Sequence, residues 1–253
     1  MRNIRLEIEY DGTNYCGWQI QRHNVPGSQG HQAKSIQEIV ENTLHKILQE
    51  DVKLIGSSRT DAGVHARAQV VNFKSNSRIP LNKLHESLNS LLPEDIAVVR
   101  ATNAPMDFHS RFSAKSKVYQ YLILNSKHRS VFFRQRACFC RYPLDLRLMR
   151  KEAKVLLGTH DFSAFCASAG RSKNQVKTVE KITFSKQGDL ITITIKANGF
   201  LYNMVRNIIG TLIDIGRGRL PRNSLKRILL SRDRRLAGPT ASARGLTLIK
   251  VNF

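Results

Sequence analysis

Apolar and charged residues alternate at the beginning of the chain. Every second position is apolar, at Ile4, Leu6, Ile8 and Tyr10. This period of two predicts a β-strand with one buried and one solvated face. Further along, Ser35 and Glu38 have the spacing of a capping box, and apolar residues recur behind them at helical intervals. We therefore expect a helix that begins after Ser35.

The rest of the first half continues the alternation of strands and helices. The stretch Gly56–Gly63 is polar and rich in turn-forming residues, which predicts a loop. Around it the pattern predicts a short strand at 52–55, a strand around 70–73, a helix between Pro80 and Pro93, and a strand at 96–99.

The second half repeats this order. The pattern predicts strands at 117–124, around 182–184 and at 191–195, helices at 146–156 and 204–212, a short helix near 225–230, and a last strand at 246–253. A turn at Lys186–Asp189 joins the two middle strands.

The predicted order β-α-β-β-α-β therefore occurs twice. A fold of this kind is α+β with antiparallel sheets. We expect two pseudo-symmetric, ferredoxin-like halves, residues 1–105 and 106–253, which together form a central cleft. Such a cleft is a favourable place for a functional site.

The charge of the chain points to a partner. Lys and Arg number 41 against 19 Asp and Glu, a formal net charge of +22, whereas a small domain usually carries a net charge of about 2–8. This excess indicates a polyanion, either nucleic acid or an anionic membrane. No apolar run is long enough to span a bilayer, and no basic amphipathic helix with an aromatic face is evident. Nucleic acid is therefore the expected partner.

The usual signatures of cofactor and metal chemistry are missing from the sequence. It has no GxxxxGK[ST] phosphate loop, no dinucleotide-binding fingerprint, no G-x-S-x-G elbow and no H-E-x-x-H motif. The four cysteines have the spacing neither of a zinc site nor of a disulfide framework. The first residues do not resemble a signal peptide. We therefore expect a reduced, cytoplasmic protein without metal or cofactor.

A single carboxylate, Asp61, lies between the cation of Arg59 and the turn at Gly63. Two interpretations are open. Asp61 forms an Asx turn or an exposed ion pair with Arg59, or nearby positive charge keeps it ionised as a nucleophile or base. His65 follows at a loop–strand border, where histidines are commonly hydrogen-bonded structural groups.

Two further features have both a structural and a functional interpretation. Tyr119 and Tyr121 share one face of a predicted strand, either as ordinary packing or as a platform on which bases stack. Arg206 lies on the polar side of a predicted helix, either solvated or holding a carboxylate or phosphate in its planar fork. Basic residues interleaved with aromatics at 127–142, and eleven Lys or Arg against two Asp in 201–253, favour nucleic-acid binding.

Several motifs, in order along nearly the whole chain, resemble the tRNA pseudouridine synthase A family. The most specific is Arg59-Thr60-Asp61-Ala62-Gly63-Val64-His65-Ala66, and Met204-Val205-Arg206-Asn207 supports it independently. The others are Tyr10-Asp11-Gly12, Gly17-Trp18-Gln19, Asp107–Ala114, Tyr119 with Tyr121, Gly158-x-His160-Asp161-Phe162 and Gly245-Leu246-x-Leu248.

The resemblance implies a function and a set of roles. The family converts uridine to pseudouridine in the anticodon stem-loop of tRNA, at positions 38, 39 and 40, and acts as a homodimer. On that basis Asp61 is the catalytic nucleophile, Tyr119 contacts the flipped base, and Arg206 pairs with the aspartate. Three further residues would contact the substrate: Arg59, His65 and Leu246. The reaction is an isomerisation, so the resemblance implies no metal and no cofactor.

The route of the reaction stays open, since Asp61 can attack C1′ or C6 or act as a base. Two other functions also remain open. One is a non-catalytic RNA-binding module, and the other is a different RNA-processing enzyme that uses Asp61 and His65 as acid and base.

The chain departs from the family pattern at three places. These are the long loop His23–Lys34, Gln120 between the two tyrosines, and the segment Gly238–Arg244. We expect none of them to contact the three proposed catalytic residues.

Overall fold

The computed structural model describes residues 1–20, 34–167 and 174–253. The strands in these ranges are β1 (Arg2–Tyr10), β2 (Ile55–Gly56), β3 (His65–Ser75), β4 (Ile96–Ala104), β5 (Ser116–Asn125), β6 (Cys138–Cys140), β7 (Gly158–Asp161), β8 (Val176–Gln187), β9 (Leu190–Ala197) and β10 (Leu246–Asn252). The α-helices are α1 (Ile36–Leu48), α2 (Leu81–Leu91), α3 (Leu146–Ala153), α4 (Met204–Gly216) and α5 (Ser224–Ser231). The departure expected at the loop 23–34 lies outside the described residues, apart from Lys34.

The chain divides into two compact units. The first comprises Met1–Ala114 and Leu248–Phe253, and the second comprises Lys115–Thr247. The boundary therefore falls nine residues after the predicted one at 105, and the end of the chain belongs to the first unit. One cause is visible at Asn3, whose side-chain amide donates to the carbonyl oxygens of Pro105 and Phe108 at 2.7 and 3.0 Å and so ties this segment to β1.

The sheet of the first unit has the strand order β4-β1-β3-β10, with β2 paired to β3. Strand β1 runs antiparallel to both β3 and β4. Its alternation is confirmed, because Ile4, Leu6 and Ile8 are completely buried. The capping box of α1 is confirmed as well. The Ser35 hydroxyl accepts from the backbone N–H of Glu38 at 3.2 Å, and the Glu38 carboxylate accepts from that of Ser35 at 3.4 Å.

The sheet of the second unit has the order β5-β9-β8-β7, and β6 adds to β5 in parallel. The pairs β5–β9, β8–β9 and β7–β8 are antiparallel. In β9 the predicted alternation holds, since Ile191, Ile193 and Ile195 are at most 1 % exposed and the threonines between them are partly exposed. Helix α4 packs its apolar stripe in the core through Ile208, Ile209 and Leu212, each 0 % exposed.

The fold is α+β with mostly antiparallel pairing, as predicted. The first unit has the predicted order β1-α1-β2-β3-α2-β4. The second half follows the same order as β5-α3-β8-β9-α4-β10 once β6, β7 and α5 are set aside. The predicted helix at 146–156 is α-helical only to Ala153 and ends in a 3₁₀ turn at Lys154–Leu156. Within the described ranges, no helix is both long and apolar enough to cross a membrane.

Candidate active site

Asp61 lies on the loop between β2 and β3, and its side chain is partly exposed. The start of this loop is fixed to β3 by polar contacts. The Ser57 N–H donates to Val70 O at 2.8 Å. The completely buried Gln69 side chain contacts Ser57 Oγ at 2.8 Å and donates to Ser58 O at 2.7 Å. The loop therefore leaves the sheet in a defined direction.

The residue before the carboxylate is held from two sides. The Thr60 hydroxyl forms a buried hydrogen bond with the Tyr10 hydroxyl at 2.7 Å. The Thr60 carbonyl accepts from the Trp18 N–H at 3.0 Å. The Tyr10 and Trp18 rings stack on each other, with centroids 6.2 Å apart. The segment after β1 thus forms one wall of the loop that carries Asp61.

Two glycines allow this wall to approach the loop. Gly17 has φ +103°, and a Cβ placed on it would lie 2.6 Å from Thr60 O. A Cβ on Gly12 would lie 2.0 Å from Val64 O. No other residue fits at these distances, because real Cβ atoms do not approach a carbonyl so closely. The backbone on both sides of Asp61 is therefore packed directly against the 10–19 segment.

His65 begins β3 and is only 1 % exposed. Its Nδ1 lies 3.1 Å from the backbone N of Gly12 and 3.0 Å from Asp11 Oδ1. A neutral ring accepts the Gly12 N–H at this nitrogen, and a protonated ring donates to Asp11. The ring is almost inaccessible to solvent, and the substrate contact expected for His65 stays a prediction. The histidine fastens the end of the Asp61 loop to the end of β1.

Arg59 is exposed. Within residues 1–20, 34–167 and 174–253 its side chain makes no hydrogen bond or ion pair. The simple ion pair between Arg59 and Asp61 that the sequence left open is therefore not formed. The Asp61 carbonyl accepts from Val64 N–H at 3.1 Å, which closes the turn through the backbone.

Arg206 lies in the first turn of α4 and is partly exposed. Its Nε donates to Ala241 O at 2.8 Å, and its Nη1 donates to Asn203 Oδ1 at 3.1 Å. Its own carbonyl accepts from Ala241 N–H at 3.1 Å. The expectation that the variable segment Gly238–Arg244 avoids Arg206 is therefore wrong, because Ala241 holds both its backbone and its guanidinium.

The same segment is bound further along α4. Gly238 N–H donates to Thr211 Oγ1 at 2.9 Å, and the Thr240 hydroxyl donates to Asn207 Oδ1 at 2.7 Å. Arg234 donates to that Asn207 oxygen as well, at 2.9 Å. Helix α4 and residues 238–241 thus form one hydrogen-bonded support for Arg206.

The two tyrosines of β5 are buried, so the pair forms no exposed stacking platform. Tyr121 is 0 % exposed, and its hydroxyl donates to Ser242 O at 2.7 Å. Burial raises the pKa of this hydroxyl well above its ordinary value. Tyr119 is 5 % exposed and packs edge-on against Phe200, with centroids 5.0 Å apart. Leu246, at the start of β10, is 5 % exposed.

The predicted site residues fall into both units. Arg59, Asp61 and His65 belong to the first unit, and Tyr119, Arg206 and Leu246 belong to the second. In the part of the chain that the structure describes, no three His, Cys, Asp or Glu side chains are grouped to hold a metal ion.

No sequence pattern predicts that Asp11 pairs with His65 or that Gln69 anchors the loop. A signal for Gln69 was present, because it is a long polar side chain directly between the apolar residues Ala68 and Val70 of a strand. Such a residue at a buried position requires hydrogen-bond partners. The sequence alone does not identify those partners.

A basic and aromatic surface lies on the second unit. Lys127, His128 and Arg141 line a groove beside β5. The half-exposed Tyr142 ring contacts two guanidiniums, those of Arg141 and Arg217, at 5.6 and 5.4 Å from its centroid. This arrangement offers positive charge and an aromatic face together, as nucleic-acid surfaces do.

Comparison with known proteins gives one family. The family model described as tRNA pseudouridine synthase matches residues 7–113 and 153–253. Proteins named tRNA pseudouridine synthase A are similar over 100 % of both chains. They are 48 % identical in Thermoanaerobacter sp. (strain X514), 45 % in Ruminiclostridium cellulolyticum and 41 % in Clostridium acetobutylicum. A chain from a crystal structure of a Cbf5-Nop10-Gar1 complex is 12 % identical with a TM-score of 0.33, and this chain spans 58 % of it.

Proposed function

This chain belongs to the tRNA pseudouridine synthase family, and we propose that it isomerises uridines 38, 39 and 40 in the anticodon stem-loop of tRNA. The observation that carries the proposal is the loop of Asp61. Its carboxylate is partly exposed, and the backbone on both sides of it is fixed. The nearby cation of Arg59 has no intramolecular partner in the described ranges. In the reaction the N1–C1′ bond breaks and a C5–C1′ bond forms. C5 loses its proton and N1 gains one, so atoms and electrons balance without a co-reactant.

We assign the chemistry to three residues. Asp61 is the catalytic carboxylate, acting at C1′ or C6 of the target nucleotide or as a base. Arg206, oriented by Ala241 and Asn203, favours the ionised form of this carboxylate by its positive charge. Tyr119 contacts the target uracil once the base has left the helix, which costs a few kcal/mol of unstacking.

The remaining predicted roles concern the RNA as a whole. Arg59 and the basic surface around Lys127, Arg141 and Tyr142 bind phosphates and unpaired bases, which gives affinity and salt sensitivity. The protein works as a homodimer in which one tRNA touches both subunits. We place this activity in the cytoplasm.

Tritium release from tRNA labelled with [5-³H]uridine tests the proposal, because C5 loses its hydrogen. Wild type should release tritium, and Asp61→Asn should release none while still binding tRNA. Asp51→Asn is the matched control, since its carboxylate is 98 % exposed and pairs only with a surface histidine within the described residues, and it should keep wild-type activity.

Each other result points to a different function. Absence of release by wild type contradicts the synthase activity, and release by Asp61→Asn contradicts the role of that aspartate. Cleavage of the tRNA strand indicates the alternative RNA-processing enzyme. Mapping of pseudouridines in tRNA from cells lacking the protein tests positions 38, 39 and 40, and sedimentation tests the dimer.

A further inference from the structure

We propose that residues 107–113 present a base-stacking platform, the outer face of the Phe112 ring, which binds an unpaired base of the tRNA other than the reacting uridine. The inference rests on the tRNA substrate of the proposed function but not on the identity of the catalytic residues. No sequence pattern predicts a stacking surface at these residues.

Phe112 is exposed to an unusual degree for an aromatic side chain. Its side chain is 76 % exposed, although a free phenyl ring gains by burial. Single exposed apolar residues are common and need no explanation by themselves. What distinguishes Phe112 is the rigid support behind its ring.

His109 provides this support. Its imidazole stacks on the Phe112 ring, with centroids 4.2 Å apart and planes inclined by 29°. The imidazole is itself held, because its Nδ1 accepts the backbone N–H groups of Arg111 at 3.2 Å and Phe112 at 3.3 Å. Ser113 N–H donates to His109 O at 2.9 Å and its hydroxyl accepts from His109 N–H at 3.2 Å, which closes the turn. One face of Phe112 is thus covered by His109, while most of the residue stays exposed to solvent.

The turn is anchored in the core of the first unit. Ser110 donates through both its backbone N–H and its hydroxyl to Asn72 Oδ1, each at 2.8 Å. The Asn72 amide donates in turn to Asn3 Oδ1 at 3.0 Å. All three residues are at most 1 % exposed. Strands β1 and β3 therefore fix the base of the platform, and little ordering entropy is lost when a ligand stacks on it.

The charges around the platform favour RNA as the occupant. The Arg111 guanidinium lies 5.6 Å from the Phe112 centroid, and within the described ranges its side chain has no acidic partner. Lys115, which is nearby in sequence, is also exposed, and Asp107 is the single acidic residue between positions 107 and 115. A base that stacks on Phe112 would bring its phosphate towards these cations. Sequence-tolerant stacking beside positive charge is the usual way proteins hold single-stranded nucleic acid.

Equilibrium binding of full-length tRNA to the intact protein tests the proposal. Phe112→Ala and Phe112→Leu should both raise Kd by at least about fivefold, because each removes the π-face, whereas Phe112→Trp should bind as wild type does. Leu91→Ala is the control, because it removes an apolar side chain that is 55 % exposed on α2, and it should leave Kd unchanged.

Three results would overturn the platform. These are wild-type affinity in Phe112→Ala, full affinity in Phe112→Leu, or a loss of self-association in Phe112→Ala, which would assign the ring to a second copy of the chain. Failure of the proposed function is distinguishable from all three, because it appears as absence of tritium release by wild type whatever the Kd values are.

Discussion

The residues predicted to contact the substrate differ in their exposure to solvent. Arg59 is exposed, Tyr119 is 5 % exposed and His65 is 1 % exposed. Arg59 can therefore meet RNA without a change in the protein, whereas the buried His65 ring contacts Gly12 N and Asp11 at the end of β1. Among the residues near Asp61, the glycines have the clearest consequences, since their neighbours leave no room for a side chain.

Gly17→Ala should reduce tritium release by about 10²-fold, because its Cβ would displace Thr60 O and with it the loop of Asp61. Gly188→Ala is the matched control. It also has a positive φ, +56°, but nothing lies within 4 Å of its Cβ. Gly188→Ala should lose about 1–2 kcal/mol of stability from backbone strain. Gly17→Ala should lose more, because its Cβ would also meet Thr60 O, and urea unfolding measures both. Equal loss of activity in the two variants would mean that strain alone is responsible.

Tyr121 gives a pH-dependent prediction. Burial raises its pKa in the folded protein, so its contribution to stability is complete below about pH 10, the ordinary tyrosine value. That contribution is lost as pH rises towards the folded-state pKa. Tyr121→Phe should be about 0.5–1.5 kcal/mol less stable at pH 8, for loss of the hydrogen bond to Ser242. The difference should shrink at pH 10.5 in urea unfolding, and a constant difference would contradict this account.

At the scale of elements, the sequence predicts those helices and strands whose residues show a clear hydrophobic period. The capping box places the start of α1, and alternation places β1 and β9. Strand β6 has only three residues, which is too few to show a period, and its existence depends on pairing with β5. The Asp61 loop could likewise be recognised from its residues. The burial of Tyr121 and the bond from Ala241 to Arg206 depend on tertiary contacts that no local pattern encodes.

Helix α4 positions Arg206 through the 238–241 segment, and a substitution at Thr211 tests this positioning. Thr211→Val removes the acceptor of the Gly238 N–H, so kcat should fall by up to about 10²-fold with tRNA affinity unchanged. Thr43→Val in α1 is the matched control. The hydroxyls of Thr43 and Thr211 both donate to the carbonyl four residues earlier. The two variants therefore differ in the hydrogen bond from Gly238 N–H, which Thr211 alone of the two accepts. A fall in tRNA affinity equal to the fall in kcat would argue against a positioning role.

At the scale of the whole molecule, the net charge of +22 is divided between cations with and without acidic partners. Arg235 is held by Asp233 through contacts of 2.7–3.0 Å, and Asp233 has a pKa lowered to about 2 by these hydrogen bonds. Arg217 similarly pairs with Asp214 at 3.1 Å. Arginines without such a partner are the ones available to phosphates.

Arg59→Gln should therefore lower the slope of log K for tRNA against log salt by about 0.7–0.9, the value of one phosphate contact. Arg235→Gln changes the net charge equally but removes a cation that is already neutralised, so its slope should match wild type. The measurement is tRNA binding at several salt concentrations. Equal slopes for the two variants would show that total charge, rather than unpartnered cations, sets the affinity.

The first unit is discontinuous along the chain, because Leu248–Phe253 lie beside β3 after more than a hundred intervening residues. Phe253 packs on Phe108, and the Arg5 guanidinium lies 4.6 Å from its ring. On the ribosome these residues emerge only after the entire second unit. N-terminal domains usually fold first, but the unit that carries Asp61 cannot complete its sheet before the second unit has emerged. The first sheet therefore gains strand β10 only after the second unit has been translated.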